Sequence, residues 1–262
     1  MRRAATRSPA FILLGSILCH CAMPEPVNVL YCPGLDGNAR EMDPVLELLP
    51  PHVTVEPLFY PTLRRTSFED LVHLVSLRLS ERPKGRRLLA GCSFGGAVAQ
   101  MTALLKPQSL DALFLIVTFN HEAEAFAAAV GRAAAKVLPN FVMRPVTRLL
   151  ARWKLSGGMD PDRREKFLDM ISSLDPRVLT ARLEILRDFD VRSRLAKIQV
   201  PVDVVYSTDD SISGSASQLE GWKRLANVRV NGIKGGHVIS RQQPQAVRDL
   251  FMAWVERATE TA

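Results

Sequence analysis

The chain is poor in several features that would place it in a special class of protein. It has four cysteines among 262 residues, and it shows no internal repeat and no low-complexity tract. These absences argue against a collagen-like chain, a disordered chain and a small disulfide-stapled scaffold. With 47% hydrophobic and 23% charged residues, the composition is that of one ordinary globular domain with a large core.

The cysteines do not form a recognisable metal-binding or disulfide pattern. Cys19 and Cys21 lie in the N-terminal segment whose presence in the mature protein the sequence leaves open, whereas Cys32 and Cys92 fall at the ends of predicted strands. We therefore expect Cys32 and Cys92 to be small buried residues. The sequence predicts neither a metal site nor an organic cofactor.

Positive charge is in excess, with a formal net charge of +7 and an isoelectric point near 9.5. Such an excess is found in proteins that bind nucleic acid, anionic membranes or anionic substrates. Here the acids and bases are interspersed along most of the chain, which favours a mixed solvated surface. Because no nucleic-acid-binding motif is present, we expect no nucleic-acid partner.

The first 22 residues leave two interpretations open. Three arginines precede an apolar run over residues 10–18, which is the outline of a short signal peptide. The run is too short to span a bilayer, and His20 and Cys21 stand where a cleavage site needs small residues. In the second interpretation Met23 is the true first residue of the protein, because the first predicted strand begins soon after it, at Val27. We expect a cytoplasmic protein, with an exported one as the alternative.

Apolar, β-branched runs alternate with helical patterns along most of the chain. The predicted strands are 27–31, 53–58, 88–91, 112–117, 202–206 and 228–233, and the predicted helices are 42–49, one opened by a capping box at 67–70, 96–106, 219–225 and 246–258. This alternation predicts an α/β fold with a mostly parallel sheet that is covered by helices on both faces.

The alternation stops between residues 119 and 190, where only helical patterns occur. We interpret this segment as a helical lid inserted between two parts of the core, 23–118 and 191–262; an ordinary helical decoration is the alternative. Residues 1–22 form a separate N-terminal extension in this division.

Residues 91–95 (GCSFG) fit the pattern G-x-S-x-G, in which a strand turns sharply into a helix. An apolar strand precedes the pattern and a helix follows it, as such a turn requires. The glycines permit the tight turn, and Ser93 is then lifted above the sheet at a helix N-terminus, where developing negative charge is favoured. Ser93 is the predicted nucleophile.

A second glycine-containing loop, residues 32–37 (CPGLDG), follows the first predicted strand. Such a loop presents a backbone N–H toward the carbonyl that a nucleophile attacks. We expect the amides of Leu35 and Phe94 to form an oxyanion hole; an ordinary glycine turn is the alternative.

A base and an acid follow the serine in the order that this arrangement requires. His237 lies after Gly235 and Gly236, between a late strand and the last helix, and is the predicted general base. Asp209 and Asp210 follow the strand 202–206, and one of them should orient the histidine. Asp210 is the preferred candidate.

With these motifs together, the chain resembles the α/β-hydrolase superfamily over about residues 26–258. The resemblance rests on residues 33–37, 91–96, 206–210 and 236–237. In that family the acid often stands three residues after a glycine, and Ser207 takes that glycine's place here, which puts the acid at Asp210. Where the family often has His-Gly in the oxyanion loop, this chain has Pro33 and Gly34.

The resemblance implies a serine hydrolase similar to carboxylesterases, enol-lactone hydrolases and pimeloyl-carrier-protein methyl esterases. The expected reaction is cleavage of a small carboxylic ester or thioester through an acyl-enzyme. A lactone or C–C bond hydrolase with the same three residues is an alternative, and a non-catalytic binding module on this fold is another. A serine at the turn argues against dehalogenases and epoxide hydrolases, which resemble this fold but carry an aspartate there.

One helix of the proposed lid has two distinct faces. The apolar face contains Val142, Val146, Leu149, Leu150 and Trp153, and we expect it to pack on the core or to line an acyl pocket. Another face carries Arg144, Arg148 and Arg152. A solvated face is the simpler interpretation of these arginines, and docking of an anionic carrier group is the alternative.

Overall fold

The computed structural model describes residues 25–61, 66–82, 85–106, 108, 110–121, 140–210 and 213–260. The strands are β1 (Val27–Cys32), β2 (Val53–Pro57), β3 (Leu88–Cys92), β4 (Ala112–Ile116), β5 (Val202–Ser207) and β6 (Val228–Ile233). The α-helices are α1 (Asp43–Leu46), α2 (Phe68–Ser80), α3 (Phe94–Leu105), α4 (Asn140–Lys154), α5 (Pro161–Ser173), α6 (Pro176–Leu186), α7 (Ala216–Trp222), α8 (Ile239–Gln242) and α9 (Pro244–Glu260). Two short 3₁₀ helices cover Arg40–Met42 and Leu195–Lys197.

The six strands form one parallel sheet in the order β2-β1-β3-β4-β5-β6. Every residue of β3 and β4 is buried, because helices cover both faces of the sheet. The fold class predicted from the alternation of strands and helices is therefore confirmed.

Two apolar layers cover the sheet, one on each face, and a smaller buried cluster lies between α4 and α5. On one face α2 and α3 pack their apolar residues against the alternate positions Leu30, Leu89 and Leu113. On the other face α1 and α9 pack against Tyr31, Ala90 and Phe114 and their neighbours. Successive strand residues thus enter opposite layers, as the pleat of a strand requires.

The strand order identifies the edge of the sheet where a ligand site is expected. β1 has β2 on one side and β3 on the other, so the chain reverses its direction of winding between β1 and β3. In open parallel sheets the loops diverge at such a point and leave a crevice outside the carboxyl ends of the strands. The loops that flank this crevice are residues 33–37 and the turn at Ser93.

The helix predicted over residues 42–49 is shorter than expected. α1 ends at Leu46, and the chain continues in tight turns in which the Leu48 and Leu49 amides donate to the carbonyls of Val45 and Leu46 at 3.0 and 3.2 Å. Pro50 and Pro51 lack the N–H groups that would extend a helix. By contrast, the predicted capping box is present, since Ser67 and Asp70 exchange side-chain and backbone hydrogen bonds.

Between β4 and β5 the described residues contain the helices α4, α5 and α6 and no strand, apart from an isolated bridge between His121 and Asp190. Residues 122–139 of this segment lie outside the described residues. Its role as a lid and the domain boundaries given above stay predictions.

The N-terminal extension of residues 1–22 also lies outside the described residues. Among the helices that the structure describes, none combines the length and the apolar character needed to cross a bilayer. The cytoplasmic location stays a prediction.

Of the two alternatives for the apolar face of α4, packing on the core is wrong for three of its residues, and the lining of an acyl pocket stays a prediction. Val146, Leu149 and Trp153 are 43%, 67% and 73% exposed. The side of α4 that faces α5 carries Arg148, which forms ion pairs of 2.6 Å with both Glu165 and Asp169. The acids of α5 thus attract the arginine side of α4. The side chains of Val142 and Leu150 lie outside the described residues.

Both remaining cysteines fit their predicted role. Cys32 and Cys92 are buried, free thiols at the ends of β1 and β3. Burial raises the pKa of Cys32 to about 12, so its thiol stays protonated and unreactive near neutral pH.

A pair of carboxyl groups lies beneath the loop that follows β1. Glu41 is 8% exposed, and its Oε1 accepts hydrogen bonds of 2.9 Å from the Tyr31 hydroxyl and from the Gly34 N–H. Its second oxygen has no hydrogen-bond partner among the described residues, and the Asp36 side chain interacts with the same carboxyl group. Burial, together with the charge of Asp36, raises the pKa of Glu41 to about 8. Near neutral pH this carboxyl therefore retains a proton.

The raised pKa of Glu41 predicts a loss of stability as the pH rises. Between its ordinary pKa of 4.5 and about 8, the folded protein holds a proton that the unfolded chain releases, so unfolding becomes easier across this interval. Glu41→Gln cannot ionise, and its melting temperature relative to the wild type should rise from pH 5 to pH 8. Calorimetry at several pH values measures this difference. The exposed carboxyl of Glu47 provides the control: a Glu47→Gln variant with the same pH-dependent gain would contradict the assignment.

Candidate active site

Ser93 lies on the turn between β3 and α3 in a conformation that few residues adopt. Its φ and ψ angles are 51° and −115°. Glycines make room for the turn, since a Cβ at Gly91 would lie 2.5 Å from the Gly95 carbonyl oxygen. A Cβ at Gly95 would lie 2.0 Å from the Cys32 carbonyl oxygen, so Gly95 allows the turn to touch the loop after β1. The predicted strand-to-helix turn is present.

Hydrogen bonds on both sides hold the Ser93 backbone in this conformation. Its N–H donates to the Ile116 carbonyl at 2.9 Å, and its own carbonyl accepts a bond of 2.7 Å from the Thr118 hydroxyl. Both partners belong to β4 or to the turn that follows it. The neighbouring strand therefore fixes the position of the serine.

His237 reaches Ser93 from the loop between β6 and α8. Its Nε2 lies 2.9 Å from the Ser93 Oγ, although 144 positions separate the two residues in the chain. Within this loop Gly235 has a φ of 156°, which favours glycine, and the Gly236 N–H donates to Gln242 Oε1 at 2.7 Å. These contacts direct the imidazole over the carboxyl edge of the sheet.

Asp210, and not Asp209, is the aspartate that the structure brings to His237. Asp210 Oδ2 lies 2.9 Å from His237 Nδ1, and the two side chains are only 4% and 11% exposed. Asp209 is exposed, with its N–H donating to the Gly235 carbonyl and its carboxylate accepting from Thr208. Ser93, His237 and Asp210 thus form one continuous chain of hydrogen bonds.

Ser213 also belongs to this chain of hydrogen bonds, and the sequence reasoning missed it. The residue is fully buried, and both its hydroxyl and its N–H donate to Asp210 Oδ2, at 2.5 and 3.0 Å. A serine three residues after an aspartate is common in turns, so the sequence carried no distinctive signal for this contact. The two bonds fix the carboxylate that faces His237.

The two predicted backbone donors lie on loops that touch each other beside Ser93. The close approach of Gly95 to Cys32 and Pro33 brings the start of α3 against residues 33–37. Within the described part of the chain, the N–H groups of Leu35 and Phe94 have no hydrogen-bond partner. The Phe94 ring is buried and packs edge-on against Tyr60, with ring centroids 5.7 Å apart.

A hydroxyl, an imidazole and a carboxylate in this geometry can generate a nucleophile at neutral pH. In enzymes with such an arrangement, the imidazole accepts the hydroxyl proton and the carboxylate stabilises the imidazolium that forms. Among the described residues, no group of three or more His, Cys, Asp or Glu side chains is placed to hold a metal ion.

Three known proteins are similar to this chain, one in sequence and two in structure. It is 25% identical over 198 residues to a pimeloyl-[acyl-carrier protein] methyl ester esterase of Pseudoalteromonas atlantica, covering 71% of this chain and 76% of that protein. The enol-lactonase from Burkholderia xenovorans LB400 superposes with a TM-score of 0.74 at 17% identity, covering 89% and 92% of the two chains. MenH from S. aureus superposes with a TM-score of 0.78 at 14% identity, covering 90% and 96%.

The family model gives the broadest match. A model described as the alpha/beta hydrolase family matches residues 29–250, which include both parts of the sheet, the turn at Ser93 and the loop of His237. On the strength of this match and of the parallel sheet, the chain belongs to the alpha/beta hydrolase family.

Proposed function

We propose that the protein is a serine hydrolase that cleaves a carboxylic ester or thioester through an acyl-enzyme. Membership of the family and the esterase and lactonase relatives support the broader assignment, a hydrolase of a small-molecule ester or lactone. The observation that carries the proposal is the 2.9 Å contact between the Ser93 Oγ and His237 Nε2, continued by the 2.9 Å contact from His237 Nδ1 to Asp210.

In the first half of the proposed reaction, the Ser93 Oγ attacks the substrate carbonyl while His237 Nε2 takes the hydroxyl proton. Asp210 holds His237 in the tautomer that carries a proton on Nδ1 and leaves Nε2 free to accept. The protonated imidazole then donates to the leaving alcohol or thiol, and the acyl group stays on Ser93.

Negative charge develops on the carbonyl oxygen only while the tetrahedral intermediate exists. The N–H groups of Leu35 and Phe94 would donate to that oxygen, and Phe94 also lies at the N-terminus of α3, where the helix dipole favours an anion. In the second half His237 deprotonates a water molecule, which attacks the acyl-enzyme; the bond to the Ser93 Oγ then breaks, the imidazolium returns its proton to that oxygen, and the acid is released.

The same three residues also serve two alternatives. A lactone or C–C bond hydrolase would use them on a different substrate, and a panel of esters, thioesters, lactones and diketones distinguishes these reactions. A binding module without activity has no need for a buried serine within hydrogen-bonding range of a histidine, so the geometry favours an enzyme.

Loss of the Ser93 hydroxyl is the first test of the proposal. Ser93→Ala should lower turnover of a 4-nitrophenyl ester by about 10⁴–10⁶-fold, because the nucleophile is gone while binding remains. A fluorophosphonate probe should label the wild type at this position and leave the variant unlabelled. The variant should keep its melting temperature, and a folded variant that retains activity would refute the assignment of Ser93.

The two neighbouring aspartates provide a matched pair of variants. Asp210→Asn should lower kcat by about 10³–10⁴-fold, because an amide stabilises the wrong histidine tautomer and no longer balances the imidazolium charge. Asp209→Asn changes an exposed carboxylate of the same turn and should leave kcat within about twofold. Equal losses in steady-state kinetics of both variants would contradict the assignment of Asp210.

We further propose that an anionic carrier group docks at the arginine face of α4. The relative named as an esterase of an acyl-carrier protein supports this idea. Arg148 and Arg152 already contact acids of α5, at 2.6 Å and 3.4 Å, whereas Arg144 is exposed and forms no ion pair with another described residue. Arg144 is therefore the side chain of this face that is best placed to meet an added anion.

The carrier proposal predicts an effect on one class of substrate. Arg144→Glu should raise KM for a methyl ester carried on an acyl-carrier protein by about fivefold, the size of one exposed charge contact. KM for the free methyl ester should not change. Arg177→Glu, at an exposed position on α6, is the control for net charge, and equal effects on both substrates would argue against docking at α4.

A further inference from the structure

Arg182 is a buried cation that the chemistry described so far does not use. It lies on α6 and is 6% exposed, and Leu35, whose carbonyl oxygen it contacts, is 147 residues away in the sequence. Burying a guanidinium is costly unless hydrogen bonds compensate for the lost water. The groups that Arg182 contacts therefore indicate which part of the structure it stabilises.

Those contacts lead to the loop that follows β1 and to the residues that follow β2. The Arg182 Nη1 donates to the Leu35 carbonyl oxygen, and Nη2 lies 3.4 Å from the Pro61 carbonyl oxygen. The guanidinium also lies over the Tyr60 ring, 5.5 Å from its centroid. A Cβ at Gly37 would come within 2.5 Å of Nη1, so the loop backbone is in close contact with the cation.

Hydrogen bonds hold three successive peptide groups of the loop after β1, and Arg182 donates one of these bonds. The Gly34 N–H donates to Glu41 at 2.9 Å, the Gly34 carbonyl accepts from the Gly37 N–H at 3.0 Å, and the Leu35 carbonyl accepts from Arg182. In a planar trans peptide the C=O and N–H groups point in opposite directions. With the Gly34 carbonyl turned into the loop, the Leu35 N–H of the same peptide points out of it.

We propose that Arg182 is a positioning residue that holds the Leu35 N–H in the orientation needed to stabilise the oxyanion, and that it thereby couples α6 to the reaction. This inference rests on the proposed function. Leu183 and Leu186 fix α6 in the same core layer against which Leu35 packs. A displacement of α6 would therefore move the loop through Arg182.

The test compares an ester with its thionoester, in which sulfur replaces the carbonyl oxygen and accepts hydrogen bonds poorly. In Arg182→Met, kcat for 4-nitrophenyl acetate should fall by about 10–100-fold with little change in KM, less than the loss of a whole oxyanion donor. The preference for the ester over the thionoester should fall in parallel, because the misdirected N–H no longer favours oxygen. Arg177→Met, the same change at an exposed position of α6, should match the wild type in both measurements.

Each outcome of this experiment decides the inference. A folded Arg182→Met protein that keeps the wild-type preference for the ester overturns it, even if the melting temperature or the overall rate falls, because the role is then structural only. If Arg182→Met does not fold, Arg182→Lys replaces it; a partial loss of the preference supports the inference and an unchanged preference overturns it. A wild type no faster than Ser93→Ala would instead show that the proposed function itself is wrong.

Discussion

The close approach of Gly95 to the carbonyls of Cys32 and Pro33 is the constraint on which the rest of the site depends. Only a residue without a Cβ lets the first turn of α3 lie against the loop after β1. That contact places the strained turn of Ser93 beside the backbone amides of residues 33–37. Without it the serine and the Phe94 N–H would lie at the same edge of the sheet, but the proposed Leu35 donor would be out of reach of the substrate.

The other groups of the site approach this contact from separate parts of the chain. β4 and the turn after it hold Ser93, while the loops after β5 and β6 supply Asp210 and His237. Because all six strands run in the same direction, their carboxyl ends lie at one edge and the side chains that follow them meet there. The parallel sheet thus converts distant sequence positions into neighbours at fixed separations.

The parts of this arrangement that depend on local sequence could be predicted from it. The alternation of strands and helices indicated the parallel sheet, and the G-x-S-x-G pattern with its flanking strand and helix indicated Ser93. Asp210 was chosen over Asp209 from its spacing relative to Ser207, and in the structure Asp210 is the aspartate that contacts His237.

Contacts between distant segments were not predictable. Arg182 and Leu35 are 147 residues apart, and no local pattern distinguishes that arginine from the many exposed ones. The orientation of α4 was misjudged for a related reason, because its apolar periodicity does not reveal that α5 offers Glu165 and Asp169 to Arg148. Nor does the sequence reveal that Ser213 returns to the carboxylate of Asp210.

The segment between β4 and β5, which contains α4, α5 and α6, lies outside the sheet that positions Ser93, Asp210 and His237. These strands are adjacent and parallel, so the segment leaves the sheet at the carboxyl end of β4 and returns to the amino end of β5 at the opposite edge. The register between the two strands is set by their own pairing, from Leu113 with Val202 to Ile116 with Val205. A replacement for this segment must still supply the bond that Arg182 makes to the Leu35 carbonyl, because that bond links α6 to the loop beside Ser93.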